Sequence, residues 1–200
     1  RFARTGQIIE TISGTAPSTA LSGTARLANI NNLNFSVKQS MNLNIQNPQS
    51  GGVSVICDVY TCVATQDMPA CPYDTAEKAL RQCLLDTSIM DGTGISYPRL
   101  TPDLSGITPY DAPNFRKFWK VLASQRIEIQ PNEQISMQFM TPKKSINLGK
   151  WNNIVVKAGY THDLLIIANP TRGGDTAAND IILGIQWAKK THIRLPNEVP

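Results

Sequence analysis

Only two histidines occur in the 200 residues, and His162 beside Asp163 is the one pair whose types could act as a base and its orienting carboxylate. Such partners must touch, whereas neighbours along a strand point to opposite faces, so the pair carries no relay and His162 is expected at a surface or turn. No Gly-x-Ser-x-Gly elbow, His-Glu-x-x-His helix or Gly-x-x-x-x-Gly-Lys-Thr loop is present. Asp103, Asp111, Asp175 and Asp180 could lend oxygens to calcium, but they lack the dense spacing of a dedicated site and read as solvated loop carboxylates. Cys57, Cys62, Cys71 and Cys83 do not show the paired short spacings of a zinc site. Cys57 and Cys62 lie five apart on one strand-like run and so face opposite ways. Buried free thiols are expected, with a Cys71–Cys83 bridge as the alternative. The reading is therefore of no catalytic residue, no metal and no cofactor: the chain is not expected to be an enzyme.

The charged residues offer a different chemistry. A net charge of +4 decides little, but the cations are grouped: Arg1 with Arg4; Arg116, Lys117 and Lys120; Lys143 with Lys144; Lys189, Lys190 and Arg194. Each group suits phosphate, although an ordinary solvated face is the default for any one of them. No apolar run approaches the ~20 residues that a membrane helix needs, so no membrane insertion is expected. Arg1-Phe-Ala-Arg4 starts the chain without the apolar stretch of a secretory leader, and this basic opening predicts a further arm upstream.

Strands are needed to position these groups, and the sequence supplies them. Leu33, Phe35, Val37, Met41, Leu43 and Ile45 alternate with Asn34, Ser36, Lys38, Ser40, Asn42 and Asn44, with Gln39 out of pattern on the apolar side. Val53 to Val63 is β-branched and reads as a central strand, Asp163 to Ala168 as a buried one. Arg126–Gln130 and Gln134–Phe139 both alternate around Pro131-Asn132-Glu133 and are expected to pair as an antiparallel hairpin. Ile181 to Leu195 closes the set, with Ile181, Leu183, Ile185 and Trp187 on its apolar face and Gly184, Gln186, Lys190, His192 and Arg194 on the other. Gln7–Ile12 is a weaker first strand, and Lys143–Trp151 reads as a polar connection. One helix is expected from the cap-like Asp74-Thr-Ala-Glu77, with Ala76, Ala79, Leu80, Cys83 and Leu84 on its apolar face. Ile89–Pro113 is expected to be a large ordered loop, and Asn114–Val121 is either a short helix or an extended lead-in. Long, uneven connections favour an all-β fold, a single jelly-roll β-sandwich of two antiparallel sheets with one short inserted helix and long surface loops. Residues 1–200 form one domain on this reading.

Asn114-Phe-Arg-Lys-Phe-Trp-Lys-Val121, the Arg126–Phe139 segment, Ala158-Gly-Tyr-Thr-His-Asp-Leu-Leu-Ile-Ile-Ala-Asn169 and Gly184-Ile-Gln-Trp-Ala-Lys-Lys-Thr-His192 follow one another in a characteristic order. In this the chain resembles the capsid proteins of small circular Rep-encoding single-stranded DNA viruses, in particular circovirus-like members. The resemblance covers the C-terminal part; the N-terminal half agrees only in strand pattern. It implies a jelly roll that self-assembles, without a cofactor, into a T=1 icosahedral shell of about 60 copies around circular single-stranded DNA. It implies a basic N-terminal arm directed inward, of which Arg1 and Arg4 would be the remnant. It places the protein in the virion, with assembly in the host nucleus or cytoplasm, and leaves the host receptor unknown. Arg1, Arg4, Arg116, Lys117 and Lys120 are then the expected contacts to packaged DNA, through phosphate attraction that weakens with salt. Core packing is expected for Phe118 and Trp119, with base stacking as the alternative. Two other classes compete. A carbohydrate- or receptor-binding jelly-roll module would show exposed aromatics, with Tyr97, Tyr110 and Tyr160 as candidates, and a cupin-like enzyme would need more histidines than the chain has.

Overall fold

The computed structural model describes residues 4–9, 34–48, 54–85, 107–112, 114–147, 154–170 and 183–194. Eight strands and two helices are found there: β1 Arg4–Ile9, β2 Asn34–Gln46, β3 Val55–Ala64, α1 Ala76–Leu85, α2 Phe115–Phe118, β4 Trp119–Ile129, β5 Gln134–Met140, β6 Lys144–Asn147, β7 His162–Pro170 and β8 Gly184–Arg194. They form an all-β sandwich of two antiparallel sheets. The first sheet has the order β1-β7-β3-β4. In the second, β8 runs along one side of β2, while β5 and β6 share the other, β5 against Ser40–Gln46 and β6 against Asn34–Val37. Thr141 joins the two pieces into one lane, its N–H donating to the Gln39 carbonyl at 2.9 Å and its Oγ1 accepting from the Gln39 N–H at 3.0 Å.

The hydrophobic pattern explains which faces meet. Met41, Leu43 and Ile45 of the second sheet pack against Val55, Cys57, Val59, Ile129, Leu164, Ile166 and Ala168 of the first, and this cluster is the sandwich core. Alternate residues of the first sheet, Tyr60, Cys62, Ala64, Leu165 and Ile167, look the other way, into a second core roofed by α1, Phe115 and Trp119. The central strands β3 and β7 are thus covered on both faces, and every residue from Thr161 to Ala168 is buried, as the continuous apolar run required. Cys57 and Cys62 fall into different cores; all four thiols are free, and the alternative Cys71–Cys83 bridge is not formed. Burial pushes the Cys57 thiol up to about 12 and raises that of Cys62 as well, so both are inert thiols packed as small apolar groups.

The helix α1 carries Ala76, Ala79, Leu80, Cys83 and Leu84 inward at full burial, on the periodicity the sequence shows. Its cap is Thr75 rather than Asp74: the Thr75 hydroxyl accepts from the Lys78 N–H at 3.2 Å. Three further expectations need correction. The segments around Pro131-Asn132-Glu133 do not form a hairpin: β4 pairs with β3 and β5 with β2, so the chain crosses from one sheet to the other at this turn. Alternation dictates that Ile127, Ile129, Ile135, Met137 and Phe139 all face the sandwich core, but it is silent on whether they do so from the same side. The crossing is clasped by buried Asn47, whose N–H donates to the Glu133 carbonyl at 3.0 Å and whose carbonyl accepts from the Asn132 N–H at 2.8 Å. Lys143–Trp151 contains β6 instead of being wholly connection, and the first strand lies at Arg4–Ile9, three residues earlier than its apolar pattern predicts. Most of Ile89–Pro113, including Tyr97, lies outside the described residues.

β4 holds one irregularity that matters for both cores. Thr61 pairs with Ala123 and Cys62 with Val121, so Leu122 is an extra residue opposite nothing. Trp119 and Val121, before this bulge, belong to the roofed core; Ile127 and Ile129, after it, belong to the sandwich core, although all four are odd-numbered.

Candidate nucleic-acid interface

Asn114–Val121 resolves into a single helical turn that runs directly into a strand. Phe115 and Phe118 stand three apart and turn inward, Phe115 fully buried and Phe118 stacked on Tyr73 with ring centroids 4.0 Å apart. Trp119 is already extended, with φ −137° and ψ 136°, and its buried indole N–H donates to the Tyr73 carbonyl at 2.9 Å. Both aromatics are therefore packed, which leaves no free ring face on Trp119 for a base. The same inward turn of the aromatics pushes Arg116 and Lys117 out into solvent, and Lys120 is exposed at the start of β4.

Arg116 and Lys120 line a cavity of about 350 Å³ together with Thr65, Pro109, Tyr110, Phe115 and Val121. The Arg116 guanidinium sits 5.8 Å from the centroid of Tyr110, within cation–π range. Tyr110 is 55% exposed. It is held edge-on against Tyr60, centroids 6.4 Å apart, in a turn where the Asp111 carboxylate accepts from the Thr108 N–H at 2.7 Å. Burial, with the nearby Asp58 carboxylate adding to it, pushes the Tyr60 hydroxyl up to about 12, so Tyr110 rests on a neutral ring. No carboxylate or imidazole lines the cavity. Two cations beside one aromatic face suit an anionic or ring-bearing ligand.

The sequence-predicted contacts are only partly brought together. Arg116 and Lys120 meet at one cavity, while Lys117 is exposed but is not part of its lining. Arg4 begins β1, opposite Ala168, at the far edge of the first sheet and toward its other end; Arg1 lies outside the described residues. The pairing of Arg116 with Tyr110 had no signal in the sequence, because Tyr110 stands in an aperiodic, proline-rich stretch.

His162 and Asp163 point to opposite faces as strand geometry requires, but His162 is buried rather than at a surface or turn. Its Nδ1–H donates to the Tyr160 carbonyl at 2.7 Å, and burial holds its pKa below the usual range. Asp163 is fully buried under α1, where Oδ2 accepts the Ala76 N–H at 2.8 Å and burial raises its pKa well above the carboxylate range; Oδ1 has no partner. Asp163 is a helix cap supplied from a distant strand. Among the described residues, no group of three or more His, Cys, Asp and Glu side chains is placed to hold a metal ion. No helix there is long and apolar enough to cross a membrane. No protein-family model, curated protein or solved structure matches the chain.

Proposed function

We propose that this chain is a structural shell subunit, a jelly roll that self-assembles into a small icosahedral capsid around single-stranded DNA and performs no catalysis. The strand order carries the reading. Numbered in chain order, the eight strands of a jelly roll pair first-eighth-third-sixth in one sheet and second-seventh-fourth-fifth in the other. With β1 taken as the second strand and β5 plus β6 as the sixth, the observed orders β1-β7-β3-β4 and β8-β2-β5/β6 fit that scheme. The first strand of the scheme has no counterpart among the described residues. Exposed Leu122 on β4 and Trp187 on β8, at 49% and 42%, place apolar surface on an outer strand of each sheet, as contacts between copies would use. Packaged DNA is held by non-specific attraction of exposed cations to phosphate.

Negative-stain electron microscopy of the purified protein at low and high salt, with the absorbance ratio at 260 and 280 nm of any large species, tests this. Closed particles of uniform diameter with a raised ratio are expected; a monomer under every condition overturns it. A second reading, a carbohydrate- or receptor-binding module, is favoured by the exposed Tyr110 in its concave, cation-rimmed cavity. It expects a small oligomer that retains glycan binding and loses it in Tyr110→Ala.

A further inference from the structure

The register of the second sheet lines up cations that are far apart in sequence. Lys38 on β2 stands directly opposite His192 on β8, while Lys190 and Arg194, two residues to either side of His192, face Ser40 and Ser36. Cross-strand partners share a face, and this is the face turned away from the sandwich core: all four basic side chains are exposed, whereas Met41, Leu43 and Ile45 between them point inward. No Asp or Glu occurs anywhere in β2, β5, β6 or β8. None of the four forms an ion pair with a described residue. Most other described residues of the face are Ser, Asn and Gln, with Gly184, Ala188 and exposed Met140 among them. Lys190 and Arg194 flank Lys38 on the two diagonals, within reach of its charge, so a cluster with no compensating carboxylate among the described residues works against the subunit that carries it unless a polyanion covers it.

From this we propose that the open face of the second sheet binds the phosphate backbone of single-stranded nucleic acid. Cations two residues apart on a strand repeat every ~6.7 Å, a step comparable to that between successive phosphates of a stretched single strand. The surrounding amides and hydroxyls offer neutral hydrogen bonds to sugars and bases without a sequence code. A sheet face has no protruding helix to enter a duplex groove, which favours the single-stranded form. The proposal rests on the shell reading for its biological occupant. It also separates two surfaces: Arg116 and Lys117 lie in the layer that roofs the other side of the first sheet, away from this face.

The test uses fluorescence anisotropy of labelled oligo-dT over a salt series, on wild type, a K38Q/K190Q/R194Q variant and an R116Q/K117Q/K120Q variant. Thermal melts confirm that each is folded, and particle formation is scored separately by microscopy. Removing the three phosphate contacts of the first variant lowers the slope of log affinity against log salt by about 2, and at low salt that variant binds roughly tenfold or more weakly than wild type and more weakly than the second variant. An unchanged slope in the first variant overturns the proposal even where shells still form. Loss confined to the second variant overturns it too, as does tighter binding of heparin than of oligo-dT by the wild type. A wild type that binds oligo-dT through this face yet never forms particles upholds the proposal and sinks the shell reading alone.

Discussion

The two sheets are built from the same two-residue alternation and put to opposite uses. The central strands of the first sheet are interior: α1 and the Phe115–Trp119 segment cover one face, the second sheet covers the other, and β7 is buried from His162 to Ala168. It also carries charge in paired or capping roles, with Asp58 gripping Arg126 through contacts of 2.7 and 3.0 Å and Asp163 capping α1. The second sheet buries one face only and carries cations without acids on the other. A sheet covered on both sides spends its side chains on stability, whereas a sheet covered on one side has a face left for an external partner.

The sharpest way to break this contrast is to compare outward-facing residues of the two sheets. Leu165→Ala, beneath α1, is expected to cost about 2–5 kcal/mol in urea denaturation, while Asn42→Ala on the open face stays within ~0.5 kcal/mol. Equal losses would mean that the second sheet is covered as well. Next in size is the clasp between the sheets: Asn47→Ala strands the Ile129 carbonyl that its side-chain amide meets at 3.3 Å, at a cost of about 1–3 kcal/mol. Asn132→Ala in the same crossing, where φ is +62°, loses about 1 kcal/mol and Asn132→Gly does not.

The buried pair on β7 sharpens the contrast through pH. His162 is held neutral with its pKa lowered, so its contribution is present above 6.5 and lost as pH falls through the depressed value. The raised pKa of Asp163 acts in the other sense: its contribution is full below 3.8 and is lost as pH rises toward the folded value. Asp163→Asn is therefore expected to gain stability relative to wild type as pH rises above about 4. Parallel curves would show that Asp163 is not as enclosed as its place under α1 implies. The smallest effect belongs to the Lys78–Asp74 pair at 2.8 Å, whose lysine is exposed, and Lys78→Ala there costs below about 1 kcal/mol.

What the sequence made legible was direction within an element. The wet and dry faces of β2 and the buried side of α1 follow from period alone. On β8 the period holds for Leu183 and Ile185, which pack on the sandwich core, but Trp187, expected on the apolar face, is 42% exposed. Gln39 stands where Thr141 bonds the backbone of β2 between β5 and β6. Partnership between elements was not legible. Period two assigns Ile127 and Ile135 an inward direction but leaves open which sheet each belongs to, and so the β4–β5 crossing reads as a hairpin. Nor does anything local tell that Asp163 will cap a helix 87 residues upstream or that Lys38 will meet His192. The basic cluster at Arg116 was visible as composition. Its tyrosine partner was not.

The extra residue in β4 has one more consequence. Pairing on either side of Leu122 stays in step, so a chain lacking it would keep every neighbour on its present face and gain an uninterrupted ladder. Such a straight outer strand is a template for another copy's backbone, and growth along it is open-ended, toward fibres. Leu122 breaks the template. Deleting it is expected to leave the fold intact while giving thioflavin-positive aggregation, which makes one seemingly redundant residue a guard against open-ended growth.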